Sequence, residues 1–318
     1  MLNSLRLLYR NHAHATAKRD RSCFRWCEGN KVRTGLQDFS YAERNINRIV
    51  FDKTGTLTEG RPTVTDIAEN RASNIPRLEL IRVAGALEAN SEHPFAQAIL
   101  AYIKDHAPKR FVYDPIENFR AIAGKGVTGR MKGTNAALGT EAFVNELGTE
   151  IPDEIKKKAE ELRREAKTVI FVTRGTILLG IIAALDRIKK ESEHAVKDLK
   201  SLGLTVALLT GDHLASANAV AKKLGITEVY AGVSPGRKAE IVASAQKEGG
   251  KVAFVGDGIN DAPALARADL GIAIGTGSDV AIATGQIVIM KGSPQKAADA
   301  IRLSRITFRA IKQNLFWA

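Results

Sequence analysis

INRIVFDKTGTLTEG, running from Ile46 to Gly60, decides the fold. A strand of β-branched and aromatic residues leads directly into a turn of Asp, Lys, Thr and Gly, and α/β sheets place their chemistry at such strand ends. The same strand-then-polar-turn unit returns at Leu204–Asp212 (LTVALLTGD), at Lys251–Asp261 (KVAFVGDGIND) and, more briefly, at Leu270–Gly277 (LGIAIGTG). Helical patterns fill the intervals at Lys189–Ser201, His213–Leu224 and Arg237–Glu248, and each is closed by a nearby glycine, Gly203, Gly225 or Gly249. Strands alternating with helices of about a dozen residues predict an α/β fold with a doubly wound parallel sheet.

A long stretch of different texture separates the first unit from the second. It holds helical patterns at Arg77–Asn90 and Pro94–Asp105, a glycine-rich segment AIAGKGVTGRMKG (Ala121–Gly133), a charged helix at Pro152–Ala166 and a strand pair within Thr168–Leu185. Helices mixed with a hairpin predict an inserted α+β domain. The tail, Gln295–Ala318, reads as a helix that turns apolar at Leu315, Phe316 and Trp317.

Composition fits this picture. The chain has 318 residues, 44% hydrophobic and 26% charged, enough for two domains with cores of their own and unlike a fibrous or disordered chain. Its formal charge is +12. Residues 1–42 hold eight Lys and Arg against Asp20, Glu28 and Asp38, a net +5 that leaves +7 for the rest. No groove of interleaved basic and aromatic residues appears, so nucleic acid is not expected as a partner. The longest mostly apolar run, Ile177–Leu185, covers nine positions against the ~20 that a membrane helix needs. Cys23 and Cys27 lack the further ligands of a zinc site and read as incidental thiols. The leader, residues 1–42, shows no sustained periodicity and is expected to be poorly ordered.

The strand ends carry the chemistry. Asp52, Thr210-Gly211-Asp212, Asp257 and Asp261 fall at the carboxyl ends of three units, which converge on one crevice in a parallel sheet. Several carboxylates together call for a divalent cation, and oxygen ligands with room for phosphate favour Mg2+. A carboxylate flanked by Lys53 and by glycine amides and threonine hydroxyls can attack phosphorus. Taken singly, each of these residues reads equally well as a turn or helix-cap residue.

In this order DKTGTLT (Asp52–Thr58), TGD (Thr210–Asp212), PGRK (Pro235–Lys238) and GDGINDAPAL around Asp257 resemble the phosphorylation-domain signatures of P-type ATPases. SEHP (Ser91–Pro94) and GKG (Gly124–Gly126) are similar to the nucleotide-binding domain of the heavy-metal-transporting branch. The resemblance covers Asn47 to about Ala318. It implies a haloacid dehalogenase-like phosphorylation domain at 46–58 and 180–294, a nucleotide-binding domain at 59–179, and at 295–318 a helix leading to a truncated membrane segment. It implies ATP as substrate, Mg2+ as cofactor and Asp52 as the residue phosphorylated. Lys53 lies beside it; Thr54 and Asp257 would hold Mg2+ with Asp52, supported by Asn260 and Asp261. Thr210, Gly211 and Lys238 would contact the phosphoryl oxygens, with Asp212 completing TGD. Aspartate-nucleophile phosphatases of the wider superfamily carry a second Asp two residues after the nucleophile; Thr54 stands there, which favours a longer-lived aspartyl phosphate.

The insertion supplies the nucleotide site in this resemblance. Gly124–Gly129 spells GxGxxG, but no clear strand leads into it and no acidic residue of convincing spacing closes a βαβ unit, so a dinucleotide-binding reading is disfavoured. Glu92 and His93 would meet adenine, with Gly124 and Gly126 lining the pocket; a helix-start histidine before Pro94 is the alternative for His93. Asp186 and Lys189 match the D-x-x-[RK] element at the return to the phosphorylation domain, or are solvated helix-start charges.

A complete pump of this kind also has membrane helices and an actuator domain bearing TGE, and the sequence ahead of Asp52 shows neither. The chain is therefore expected to be the catalytic fragment of a longer pump at the cytoplasmic face of a membrane, or the product of a truncated or frame-disrupted gene, cytosolic by itself. The IKQNLFWA ending and SEHPFAQAI resemble copper-transporting members more than zinc or cadmium ones. A stand-alone phosphatase and a non-transporting nucleotide-binding fragment remain as alternatives.

Overall fold

The computed structural model describes residues 23–26, 30–34, 46–91, 93–108, 111–257, 261–275, 285–289 and 292–317. One sheet contains β1 (Cys23–Trp26), β2 (Asn30–Thr34), β3 (Ile46–Asp52), β10 (Thr205–Leu209), β11 (Glu228–Tyr230), β12 (Lys251–Gly256), β13 (Leu270–Ile274) and β14 (Ile287–Ile289). Its order is β1-β2-β14-β13-β12-β3-β10-β11, parallel from β14 to β11. The central strands are continuous buried runs because helices cover both faces. Phe51, Leu208 and Ile272 fill one face with Val220 and Leu224 of α6 (Leu214–Leu224); Val50, Leu209 and Phe254 fill the other with Val242 of α7 (Lys238–Lys247) and Leu265 of α8 (Ala262–Arg267).

Strands are added to one side of β3 by β10 and β11, then to the other by β12, β13 and β14. The switch falls between β3 and β12, where doubly wound sheets open a crevice at their carboxyl ends. Register aligns the ends: Leu209 lies opposite Asp52, and Val255 opposite Phe51. Thr210, Asp52 and Asp257 are therefore brought to one edge by backbone pairing alone.

The insertion folds as a second, antiparallel sheet of β4 (Thr63–Glu69), β5 (Glu117–Ile122), β6 (Gly126–Met131), β7 (Thr134–Gly139), β8 (Thr168–Arg174) and β9 (Ile177–Leu185), in the order β4-β9-β8-β7-β6-β5. Leu80 and Leu87 of α1 (Arg77–Glu88) and Phe95 and Ile99 of α2 (Pro94–His106) pack one face. Val144 of α3 (Glu141–Glu146), with Ile155 and Leu162 of α4 (Asp153–Arg164), packs the other around Phe171. The chain returns to the first sheet through α5 (Ser192–Ser201) and ends in α9 (Gln295–Trp317), whose Ala297, Ala298 and Ile301 join the first core.

Two expectations change. A boundary at 179/180 would cut β9, which pairs with β4 and β8 as far as Leu185, so the inserted sheet extends to that residue. Within the leader the described segments form strands: β1 and β2 pair antiparallel, and β2 pairs with β14. Phe24, Trp26 and Val32 are good strand formers, and the flank of β14 offers backbone groups that a further strand can satisfy. Among the described residues no helix is long and apolar enough to cross a membrane.

Candidate active site

Asp52 ends β3 in extended geometry and is buried, 5% exposed. Lys238, at the start of α7, donates from Nζ to Asp52 Oδ1 at 2.6 Å and to Asp261 Oδ1 at 2.7 Å. Asp261, just ahead of α8, also accepts the Asp257 N–H through Oδ2 at 3.3 Å. One carboxylate oxygen from each of Asp52, Asp257 and Asp261 falls within 4.8 Å of the others. Three hard oxygen donors at this spacing suit a small divalent cation.

Burial first, and then the charge of Asp261, raises the Asp52 carboxyl to about 7, while Lys238 pulls it down. Asp257 is exposed as a residue, but its carboxyl is crowded by protein and faces Asp261, and it rises to about 6. Burial alone would lower Lys238; its two carboxylate partners outweigh that and hold it well above the ordinary lysine range. A proton is thus easily placed on the carboxylate cluster and hard to remove from Lys238.

Lys53 turns the other way. Buried like Asp52, it is paired with Asp212, whose attraction more than offsets the downward pull of desolvation. Asp212 N–H bonds Thr210 Oγ1 at 3.1 Å, closing the TGD turn, and Asp212 Oδ2 also accepts the Thr168 hydroxyl of β8 at 3.2 Å. Thr54 is exposed, whereas Thr56 is fully buried and its Oγ1 has no partner among the described residues. Gly55 has φ 72, and a Cβ there would collide with Asp257 Oδ2, so only glycine fits. Gly211 is exposed beside the Val233 carbonyl.

The residues expected at the nucleotide site fall at a helix start and in a hairpin. His93 caps α2, its Nδ1 accepting the Phe95 N–H at 3.2 Å, so the helix-start role is real. GxGxxG forms the β5–β6 hairpin, with no helix after it. Gly124 has φ 72 and open space beside it; the room at Gly126 is taken by the Leu138 carbonyl of β7, so its missing side chain serves strand packing. Glu92 and Asn260 lie outside the described residues. The sequence reading passed over Glu88, which is 3% exposed with Oε2 unpartnered among the described residues. Burial raises its pKa, against a hydrogen bond from Ser91. The signal was present: Glu88 continues the apolar stripe Leu80, Ala84, Leu87 of α1.

Asp186 accepts from Thr58 Oγ1 at 2.5 Å and from the Arg61 N–H at 3.3 Å, and Lys189 bonds two backbone carbonyls; both therefore act within the fold at the return to the first domain.

The chain matches the family described as haloacid dehalogenase-like hydrolase over residues 46–269. It is 44% identical over 276 residues to the copper-exporting P-type ATPase B of Archaeoglobus fulgidus, covering 86% of this chain and 38% of that protein. To the copper-exporting P-type ATPase of Bacillus subtilis it is 43% identical over 273 residues, covering 86% of this chain and 33% of the relative. The chain thus spans about a third of the length of these relatives. Among solved structures it is similar to the catalytic domain of the CPx-ATPase CopB-B, with TM-score 0.64 and 27% identity over 86% of this chain and 94% of that one. A zinc-transporting PIB-type ATPase matches with TM-score 0.60 and 33% identity over 89% of this chain and 45% of that one. With Asp52 at a strand end, the Lys238 bridge and this match over most of its length, the chain belongs to the haloacid dehalogenase-like hydrolases, as a counterpart of the catalytic part of heavy-metal P-type ATPases.

Proposed function

We propose that the chain is the ATP-hydrolysing part of a heavy-metal-exporting P-type ATPase and accepts the γ-phosphoryl group of ATP on Asp52. The observation that carries this reading is the buried Asp52 carboxylate, held through Oδ1 by Lys238, with Thr54 two residues on in place of a second acid. The free oxygen of Asp52 attacks the γ-phosphorus; the bond from that phosphorus to the bridging oxygen breaks, and ADP leaves with the electron pair. Lys238 and Lys53 offset charge on the transferring group, Thr210 and Gly211 border it, and Asp212 holds Lys53 in place. Asp52, Asp257 and the Thr54 peptide, supported by Asp261, would hold Mg2+, which supplies further charge neutralisation. The inserted domain brings ATP through the region of His93, Glu92, Gly124 and Gly126. Without an acid at position 54 to activate water, the aspartyl phosphate outlives its formation.

The transported ion is proposed to be copper, because the copper-exporting relatives are 43–44% identical where the zinc-transporting structure is 33% identical. Transport itself would require membrane and actuator parts of the kind such pumps carry, with this chain at the cytoplasmic face. Labelling with γ-phosphate-labelled ATP and Mg2+, followed by acid quench, tests the central step. An acid-stable, hydroxylamine-labile phosphoprotein that drops to background in Asp52→Asn is the expected result. Rapid release of phosphate from simple esters with no trapped phosphoprotein would instead make the chain a phosphatase, and ATP binding without label would leave a nucleotide-binding fragment.

A further inference from the structure

Lys189 is half-buried at the return from the insertion, and its ammonium bonds no carboxylate among the described residues. Its Nζ donates instead to the Gly55 carbonyl at 2.6 Å and to the Gly292 carbonyl at 2.7 Å. The neighbouring Asp186 is already engaged by Thr58 and Arg61. A lysine charge spent on two peptide carbonyls distant in sequence serves to fix those peptides, because each charge-assisted bond is stronger than a neutral one.

Both peptides matter to the crevice. The segment after the nucleophile is zipped to the return segment by backbone bonds, Lys189 N–H to the Leu57 carbonyl at 3.0 Å and Glu59 N–H to the Arg187 carbonyl at 2.9 Å. Ser192 Oγ adds a bond to the same Leu57 carbonyl at 2.7 Å. Those contacts hold residues 57–59; Lys189 reaches further back, to Gly55. On its other side the Gly55 backbone abuts the Asp257 carboxylate so closely that no Cβ could intervene. Gly292, with φ 64, stands just ahead of α9, so the same ammonium joins the loop after the nucleophile to the entry of the terminal helix.

We propose that Lys189 is a positioning residue for phosphorylation of Asp52: by gripping the Gly55 peptide it sets the place of the Asp257 carboxylate and ties both to the entry of α9. The inference rests on Asp52 as phosphoryl acceptor. Lys189 touches neither the nucleophile nor the transferring group; it acts through the Gly55 peptide beside Asp257, and its charge also favours the ionised Asp257 carboxylate.

The test compares the full chain with Lys189→Gln, Lys189→Arg and Ser192→Ala. The rate of acid-stable labelling from ATP, the Mg2+ concentration giving half that rate, the affinity for a fluorescent ATP analogue and the melting temperature are read for each. Lys189→Gln should label about 10- to 100-fold more slowly and need more Mg2+, as loss of a residue behind a metal ligand does, with analogue affinity unchanged. Lys189→Arg, which can bridge two carbonyls, should recover most of the rate. Ser192→Ala, cut from the same zipper, should lower the melting temperature and leave the Mg2+ midpoint alone. A wild-type rate and Mg2+ midpoint in Lys189→Gln would overturn the proposal, as would a rate loss that Lys189→Arg does not recover and Ser192→Ala shares. No label on the unaltered chain would overturn the reading of Asp52 itself, and this inference with it.

Discussion

At the carboxyl ends of β3, β10 and β12 the buried Asp52, Asp261, Lys238 and Lys53 are all paired, whereas in the inserted domain the buried Glu88 keeps a carboxylate oxygen with no partner among the described residues. His93 meanwhile commits Nδ1 to a helix cap. The crevice is assembled by sheet register, which fixes strand ends whatever the ligand does, and its lysines are paired with carboxylates before any substrate arrives. The insertion builds from a helix end and a hairpin, and leaves polar capacity unspent. One region pairs its buried charges ahead of a charge that develops during reaction; the other leaves a buried carboxylate oxygen without a partner among the described residues at a helix end.

That contrast breaks if the crevice does not depend on its cations. Lys238→Met removes the shared partner of Asp52 and Asp261 and leaves two buried carboxylates facing each other. Breaking a buried ion pair from one side costs about 3–5 kcal/mol, so the urea midpoint should fall sharply and labelling of Asp52 should disappear. Glu88→Gln, by comparison, exchanges a carboxyl already biased toward its protonated form for a neutral amide. A Lys238→Met chain that unfolds at the wild-type midpoint would show that the crevice is no more preorganised than the insertion.

The pH dependence sharpens the same point. Burial raises Asp52 to about 7 and Asp257 to about 6, both above their ordinary values. Such carboxyls hold a proton more tightly in the folded chain than in the unfolded one. Their protonated forms therefore favour folding, and this contribution is lost as pH climbs from the ordinary carboxylate range through about 7. In the absence of Mg2+ the melting temperature should drop across that window by roughly a few degrees. Asp52→Asn should flatten the drop, and Mg2+ should restore stability at its alkaline end. A melting temperature that rises with pH through the window would reverse the assignment of strain to the carboxylate cluster.

How much of this was readable from the chain follows the same division. The parallel sheet and its crevice were legible because DKTGTLT, TGD and GDGIND each follow an apolar run, and strand ends in a doubly wound sheet have one place to go. The insertion was legible as α+β but not in its details. At Gly126 the Leu138 carbonyl of β7 occupies the space a Cβ would need, a contact between strands that spacing does not encode. Glu88 hides in an apolar helix stripe and carries no motif. Thr56, inside the most recognisable motif of all, is buried with its hydroxyl unpartnered among the described residues, which only the turn geometry reveals. The β2–β14 pairing joins segments far apart in sequence, which local patterning does not encode.

The smallest effect probes where the two regions meet. Thr168, the first residue of β8, sends its hydroxyl to Asp212 Oδ2, and Asp212 also holds Lys53 and pulls on His93 electrostatically against the downward effect of burial there. Helix α4 packs on α6 beside it, and Ala166 enters the first domain's core. Thr168→Val keeps the branched shape and strand preference and deletes the hydroxyl. A hydrogen bond to a charged group is worth about 1.5 kcal/mol or more when fully formed, and this one is long, so about 1 kcal/mol is expected. If the bond serves domain closure, ATP-driven labelling should need several-fold more ATP for half its rate. Labelling by a small phosphoryl donor such as acetyl phosphate, which has no use for the inserted domain, should be unchanged. Equal losses with both donors would place the hydroxyl's effect inside the crevice, through Asp212 and Lys53, and the boundary between a preorganised region and an open one would have to be moved to include β8.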